Sequence, residues 1–239
     1  RIIDAPRVLW LPLLHGVILN TRPRLSAKAY AAIWRTDTNE SPLRHFSRLQ
    51  AERLRERIGA RALVDWAVRY GAPSIADGLA ALRAEGASRI AVLPLYPQYS
   101  ETTNLSVADA LTAAADPSPI AVTLGGAFFD HPKYIAALKA EASRFLSSLQ
   151  PPPERLVMSF HGLPQRYVDC GDPYYRQCAA TSGFVADCIE TLEEIAIRAR
   201  ETFIENGGER LTALPCLNDS DAMIDLLEAL AVEAIGGGQ

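Results

Sequence analysis

The chain has no C-x-x-C pair: its four cysteines, Cys170, Cys178, Cys188 and Cys216, stand well apart. Without paired or closely spaced thiolates, neither a structural zinc site nor an iron–sulfur cluster is expected. Reduced thiols of a cytosolic protein fit this spacing better than a disulfide framework. Excess positive charge is also missing. There are 24 Lys and Arg against 28 Asp and Glu, for a net charge of −4 and a pI of about 5.6, so no basic face for nucleic acid is expected. No signal-peptide pattern is visible. The main apolar run, Val8 to Leu19, is shorter than the ~20 residues a bilayer-spanning helix needs. Repeats and low-complexity blocks are absent. The one adjacent glycine pair that could serve a phosphate loop, Gly125-Gly126, lacks the G-x-G-x-x-G spacing, which argues against a nucleotide-binding doubly wound protein.

What is present describes a water-compatible globular chain. Its 239 residues are 49% apolar, enough for one large or two small domains with a buried core. Short β-rich runs at Ala62–Val68, Arg89–Leu95, Ile120–Leu124 and Arg155–Phe160 alternate with helical periodicity at Arg44–Ile58, Ile75–Glu85, Asn104–Ala114 and Pro132–Leu146. Strands about 30 residues apart with helices between them predict βαβ units and a parallel sheet, an α/β fold. Gln150-Pro151-Pro152-Pro153 cannot be helical and marks the expected boundary between residues 1–150 and 151–239. Beyond it there are too few strands for a sheet. The Val8–Leu19 run, bracketed by Arg7, Arg22 and Arg24, reads as a core helix or as an apolar lip at a membrane surface or over a hydrophobic ligand.

The densest signal is Leu156-Val157-Met158-Ser159-Phe160-His161-Gly162-Leu163-Pro164, closed by Gly171-Asp172-Pro173-Tyr174. An apolar strand stops at a polar residue and an imidazole, and Gly and Pro forbid its continuation. The carboxyl ends of such strands are where open α/β sheets bind ligands, although a single histidine there is as readily structural. A second element follows. Between Phe184 and Glu205, Val185, Ile189, Leu192, Ala196, Ala199 and Phe203 form one apolar helical stripe, while Asp187, Glu190 and Glu194 stack on another face. That carboxylate column reads as a solvated face or as a track of hard oxygen ligands for a divalent cation.

The S-x-H-G-L-P and G-D-P-Y runs closely resemble the signature of the ferrochelatases, which insert ferrous iron into protoporphyrin. Gly183-Phe184-Val185-Ala186-Asp187-Cys188-Ile189-Glu190-Thr191-Leu192-Glu193-Glu194-Ile195 is similar to the family's second signature. The resemblance implies two Rossmann-like lobes with parallel sheets and porphyrin between them, in a chelatase-like α/β fold. It implies His161 and Glu190 as the facing catalytic pair and metal ligands, with Asp187 and Glu194 extending an acidic path for iron. A neutral imidazole can accept a pyrrole proton or ligate the metal. Leu93–Ser100, with Tyr96 and Tyr99, looks like a macrocycle wall, and Arg69-Tyr70-Gly71 like a second pocket loop. Arg22 and Ser41 fall where the family binds propionates, a natural task for Arg. Leu9, Trp10 and Leu13 would line the lip. Leu25 stands where relatives often carry Lys, and Cys188 where some carry His. His15, His45 and His131 have no comparable context and read as structural or surface residues.

By the same resemblance the substrates are protoporphyrin IX and Fe²⁺, and the product protohaem, the last step of haem synthesis. No tightly bound cofactor is implied. The expected protein is a cytoplasmic monomer with peripheral contact at the inner face of the membrane. The family's opening strand and glycine-rich turn have no counterpart before Arg1, and between Thr181 and Ser182 the family carries a further stretch with strands and a tryptophan-bearing pocket loop. That gap accounts for the strand deficit. Two alternatives stand beside the leading reading: a chelatase for another tetrapyrrole or metal, since N/O sites discriminate poorly among such ions, and a catalytically inactive porphyrin- or haem-binding protein.

Overall fold

A computed structural model describes residues 7–114, 120–151, 153, 159–181 and 200–236. They fall into two compact units, one within Arg1–Phe46 and Val185–Cys216, the other within Ser47–Phe184 and Leu217–Gln239.

The first unit opens with helix α1 (Arg7–Leu13), a π-helical turn (Leu14–Ile18) and α2 (Leu19–Ile33). Pro12 inside α1 has no N–H to give the preceding turn, and the helix widens into the π turn just beyond it. Carbonyls in the turn are met by side chains instead. Asn20 Nδ2 donates to the carbonyls of His15 at 2.8 Å and Gly16 at 3.1 Å, and Thr21 Oγ1 donates to Val17 at 2.9 Å. The apolar run is therefore helical, but not as a buried core element: Val8 is 83% exposed, and Leu11, Leu13, Val17 and Leu19 are exposed as well. An antiparallel bridge joins Arg35 and Glu40. The Glu40 carboxylate meets His45 Nδ1 at 2.9 Å, both side chains being buried, which bears out a structural role for this histidine. The short α9 (Arg200–Glu205) also belongs here and is the described end of the long helix expected from 184 to 205.

The second unit holds most of α3 (Pro42–Ile58), then α4 (Ile75–Ala84), β1 (Arg89–Val92), α5 (Asn104–Ala113), β2 (Ala121–Leu124), α6 (Pro132–Ser148), α7 (Gln165–Asp169), α8 (Tyr174–Ala180) and α10 (Asp221–Gly236). Local chemistry sets the helix starts. Ser74 and Asp77 form a reciprocal capping box on α4, whose hydrogen bonds from Ser74 hold the Asp77 carboxyl below its usual value. His131 caps α6, its Nδ1 accepting from the Lys133 N–H at 3.2 Å, with Pro132 in the first turn.

The strands β1 and β2 pair in parallel, Arg89 opposite Ala121 and Val92 opposite Leu124, with α5 in the crossover. This is the expected βαβ unit in an α/β chelatase-like fold, reduced to two strands among the described residues. A parallel sheet is ordinarily covered on both faces. Here all of β2 is exposed, including Val122 and Leu124, as expected where neighbouring strands are missing. The strand expected at Ala62–Val68 does not form. Its one ladder contact is an isolated bridge from Val68 to Ser74, and the Val64 carbonyl is taken by the Arg55 guanidinium at 2.7 Å. Period-2 patterning makes a chain extended; only a partner edge makes it a strand. Of the strand expected at Arg155–Phe160, residues 155–158 lie outside the described residues, and Ser159 and Phe160 are irregular.

The core is built on α10. Leu226 packs with Phe128, Tyr134, Ala137 and Leu217, while Ile224 and Leu227 pack with Leu54 and Ile58 of α3. A charge ladder runs alongside. Arg57 meets Asp225 at 2.6 Å and Glu228 at 3.5 Å, Arg61 meets Glu228 at 2.6 Å, and Arg53 meets Asp219 and Asp221. Arg53 and Arg57 on α3 and Arg61 in the turn after it are four apart, and Asp221, Asp225 and Glu228 on α10 are four and three apart, so the rungs follow the helical turn.

Two outcomes follow. Leu226 is fully buried, so Leu226→Ala should cost roughly 2–5 kcal/mol of unfolding free energy in denaturant titration. The hydrogen bond from Arg61 holds the Glu228 carboxyl below its reference value of 4.5. Its stabilising effect is therefore complete above that value and lost as pH falls through the lower, folded-state value. Glu228→Gln should flatten this part of the acid limb in thermal melts from pH 6 to 3, leaving little pH dependence from this rung.

Candidate active site

Beyond Val92, Pro94 and Pro97 prevent β1 from continuing, and residues 93–103 form a loop leading to α5. The loop is held from beneath. Pro97, Gln98 and Ser100 are buried, and the Pro97 carbonyl accepts from the Phe128 N–H at 2.9 Å. The Tyr134 phenol meets the Gln98 amide; burial pushes this phenol well above its ordinary range, which the amide opposes. Tyr96 and Tyr99 of the same loop are half-buried.

The segment carrying His161 lies against this loop. After the irregular stretch to Pro164, the one-turn helix α7 ends at Gly171, whose φ of +97° suits glycine alone. Asp172 follows, 6% exposed. Its Oδ2 accepts from Ser100 Oγ and from the Glu101 N–H, both at 2.9 Å, and its Oδ1 from the Tyr174 N–H at 2.9 Å. The last is an Asx turn that launches α8. Gln177 Oε1 accepts from the Tyr99 N–H at 2.6 Å, and Thr181 Oγ1 donates to the Phe129 carbonyl at 2.7 Å. The His-bearing segment is thus fastened to the strand-end loops at three residues.

His161 itself is exposed, with Nδ1 2.9 Å from the Gly162 carbonyl oxygen. A carbonyl only accepts, so Nδ1 carries the proton in that bond and a neutral ring presents a bare Nε2. The Tyr174 phenol lies near the Cys178 thiol and the backbone N–H of His161. Burial first, then the thiol, drives the phenol well above its ordinary range, against the N–H; burial likewise pushes the Cys178 thiol up.

Arg69 and Tyr70 come together on α5. Arg69 Nε donates to the Ser106 carbonyl at 2.8 Å and to its Oγ at 2.9 Å, and the guanidinium carbon lies 4.5 Å from the Tyr70 ring centroid. Tyr70 Oη is 3.2 Å from Ser106 Oγ, while the residue stays 76% exposed. Residues of the first unit are placed separately. Leu9 lies in α1 and Arg22 in α2; Trp10 is half-buried and Leu13 exposed. Ser41 Oγ accepts from the Arg44 N–H at 3.3 Å at the start of α3. Glu190, Asp187, Glu194 and Cys188 lie outside the described residues. Among the described residues no three His, Cys, Asp or Glu side chains are grouped to hold a metal.

A cavity of about 440 Å³ opens at the carboxyl ends of β1 and β2, lined by Leu93, Pro94, Gly125, Phe128, His131 and Glu233 among others. Leu93 and Pro94 of the expected macrocycle wall line it, whereas Tyr96, Tyr99, Arg69, Tyr70 and His161 do not. His131 Nε2 reaches Glu233 at 3.4 Å there. Asp172, Gln177, Thr181 and Ser106 do not stand out as individual residues in the sequence. Only Asp172 left a local trace, an Asx-Pro turn before a helix.

Comparison with known proteins agrees with the two signatures. The family model described as ferrochelatase matches residues 1–182 and 180–235. Ferrochelatases of Nitrobacter hamburgensis and Rhodopseudomonas palustris are each 39% identical over 293 positions, covering 99% of this chain and 85% of theirs. That of a Chelativorans species is 38% identical, covering 99% and 83%. A span of 293 positions against 239 residues leaves at least 54 positions without counterpart here. The family match breaks in two where the sequence placed its gap, at Thr181–Ser182. With both signatures present and the match running over nearly all its length, the chain belongs to the ferrochelatase family.

Proposed function

We propose that this protein inserts Fe²⁺ into protoporphyrin IX to give protohaem, the last step of haem synthesis. The observation that carries the proposal is His161: an exposed imidazole with Nδ1 engaged by the Gly162 carbonyl, on a segment fastened to the Tyr96–Tyr99 loop. Insertion exchanges two pyrrole protons for one Fe²⁺, which sheds its water as four nitrogens bind. Nε2 of His161 takes one proton or ligates the incoming iron, and Glu190 takes the other or holds Fe²⁺ in transit. Asp187 and Glu194 lead the hydrated ion along the acidic column. Iron is substrate here, and the protein needs no resident cofactor and no iron–sulfur cluster.

Binding falls to the remaining residues. Arg22 and Ser41 take propionates, Tyr96, Tyr99, Arg69 and Tyr70 wall the macrocycle, and Leu9, Trp10 and Leu13 form the apolar lip. The exposed Val8, Leu11, Leu13, Val17 and Leu19 support peripheral contact with a membrane surface. No described helix is long and apolar enough to cross one. A cytoplasmic monomer at the inner face of the membrane is part of the proposal. So is a lobe division at residue 150 into 1–150 and 151–239, distinct from the compact units described above.

One observation favours a second reading. The 54 or more unmatched positions leave the 239-residue chain without part of its relatives' sequence, which favours a porphyrin-binding protein that does not turn over. An anaerobic assay with protoporphyrin IX and Fe²⁺ or Zn²⁺ separates the two. A form with the stretch after Thr181 restored should make metalloporphyrin. His161→Ala should abolish its turnover while leaving porphyrin binding largely intact. Arg22→Ala should weaken porphyrin binding about tenfold to a hundredfold, the effect of losing a charge-assisted hydrogen bond. The 239-residue chain should fold poorly and show no activity. Wild-type turnover in His161→Ala would contradict the mechanism, and full activity of the 239-residue chain would contradict the role given to the gap.

A further inference from the structure

We infer that Gln177 is a positioning residue for Tyr99, setting the backbone of the macrocycle wall from the neighbouring helix α8. The inference rests on the ferrochelatase reading, in which Tyr96 and Tyr99 wall the porphyrin, and adds to it a residue that works through that wall.

The loop after β1 is held on its buried side. Gln98 is 2% exposed and Ser100 1%, whereas Tyr99 and Glu101 are only half-buried. The Pro97 carbonyl accepts from the Phe128 N–H at 2.9 Å. The Ser100 carbonyl accepts from Thr103 at 3.2 Å and Leu105 at 3.3 Å, at the start of α5. The N–H groups of the two half-buried residues go to side chains of one short stretch of another segment. Tyr99 donates to Gln177 Oε1 at 2.6 Å and Glu101 to Asp172 Oδ2 at 2.9 Å.

These two grips hold different things. Asp172 also accepts from Ser100 Oγ and the Tyr174 N–H, so that joint outlasts the loss of one donor. Gln177 makes one bond to the loop, and it ends on the backbone of the wall residue itself. Its own place is fixed beforehand. It lies in the first turn of α8, its N–H donating to the Pro173 carbonyl at 3.0 Å, and the far end of that helix is tied to Phe129 through Thr181 Oγ1 at 2.7 Å. The amide oxygen is thus presented from a helix anchored at both ends. A wall residue held in place before the ligand arrives spares the binding step the cost of ordering it.

A purely structural staple is the alternative, and geometry separates the two. Without the Gln177 bond the loop stays attached at Pro97, Ser100 and Glu101, and the residue released is Tyr99. Porphyrin then has to order that side chain on binding, which lowers affinity about three- to tenfold. A staple would lower the melting temperature and leave porphyrin affinity alone.

The test uses wild-type protein, Gln177→Met and Gln177→Glu, each with the stretch after Thr181 restored. Methionine matches glutamine in length and lacks the acceptor oxygen; glutamate keeps it. Protoporphyrin IX binding is followed by fluorescence, Zn²⁺ insertion by steady-state kinetics, and the Tyr99 amide by ¹⁵N-tyrosine NMR, where 8 tyrosines keep the spectrum simple. Gln177→Met should raise porphyrin Kd and KM about three- to tenfold with kcat changed less than about twofold. It should also move the Tyr99 amide signal upfield as the hydrogen bond is lost. Gln177→Glu should bring both readouts back to near the wild-type values. Gln177→Asn, whose acceptor stops one methylene short, should follow the methionine variant, and it decides the matter if that variant does not fold. A lower melting temperature at unchanged Kd and KM would overturn the inference, as would an equal loss of affinity in Gln177→Glu or a fall in kcat at constant KM. Wild-type protein that binds no porphyrin would defeat the ferrochelatase reading itself. Wild-type binding left untouched by Gln177→Met would defeat this inference alone.

Discussion

One buried carboxylate organises the described part of the site. Asp172 is shielded from water and satisfied by three donors, one hydroxyl and two backbone N–H groups. Buried acceptors of this kind are costly to leave unmatched, about 1–3 kcal/mol and more when charged, so the two segments it joins have a strong reason to remain in register. At this joint meet the proline-rich loop with Tyr96 and Tyr99, the glycine turn at 171 and the start of α8.

The scaffold behind the joint is a fragment of a larger sheet. Two parallel strands with β2 exposed along its length do not enclose a core by themselves. The core lies instead on α10, with α6 against one face and α3 against the other. This division matches the comparisons: relatives have at least 54 positions that this chain lacks, and the family match breaks at the residue where the chain's pattern runs out of strands. Helices that pack on α10 keep their partners, whereas strand edges lose theirs. The first unit has a different balance, with an apolar helical face left in water from Val8 to Leu19.

Much of this was legible in the sequence because it is local. The helices α3 to α6 start and stop within a few residues of the expected positions, since local signals such as the Ser74 cap and Pro132 in the first turn and a 3.6-residue apolar period act over a turn or two. The strands β1 and β2 were legible as short β-branched runs, each ending earlier or starting later than expected by a few residues. Ala62–Val68 has the same pattern and is no strand, because pairing depends on an edge elsewhere in the chain that local patterning cannot supply. The site divides in the same way. His161 and Tyr70 stand out through motif and context, but Asp172 draws two of its three bonds from residues 71 and 72 positions away, and Arg69 finds Ser106 at 37. Such pairings belong to the fold and leave no mark on the neighbouring sequence.

In the proposed mechanism the chemistry depends on which ring nitrogen of His161 is bare. Long-range ¹H–¹⁵N correlation spectra of histidine-labelled protein with the ring neutral read the tautomer directly. The expected result is a protonated Nδ1 and an unprotonated Nε2, as the contact with the Gly162 carbonyl requires, with the Nε2 signal responding to Zn²⁺ or protoporphyrin. A protonated Nε2 with a bare Nδ1 would contradict it, because the free lone pair would then face the protein's own carbonyl and not the substrate.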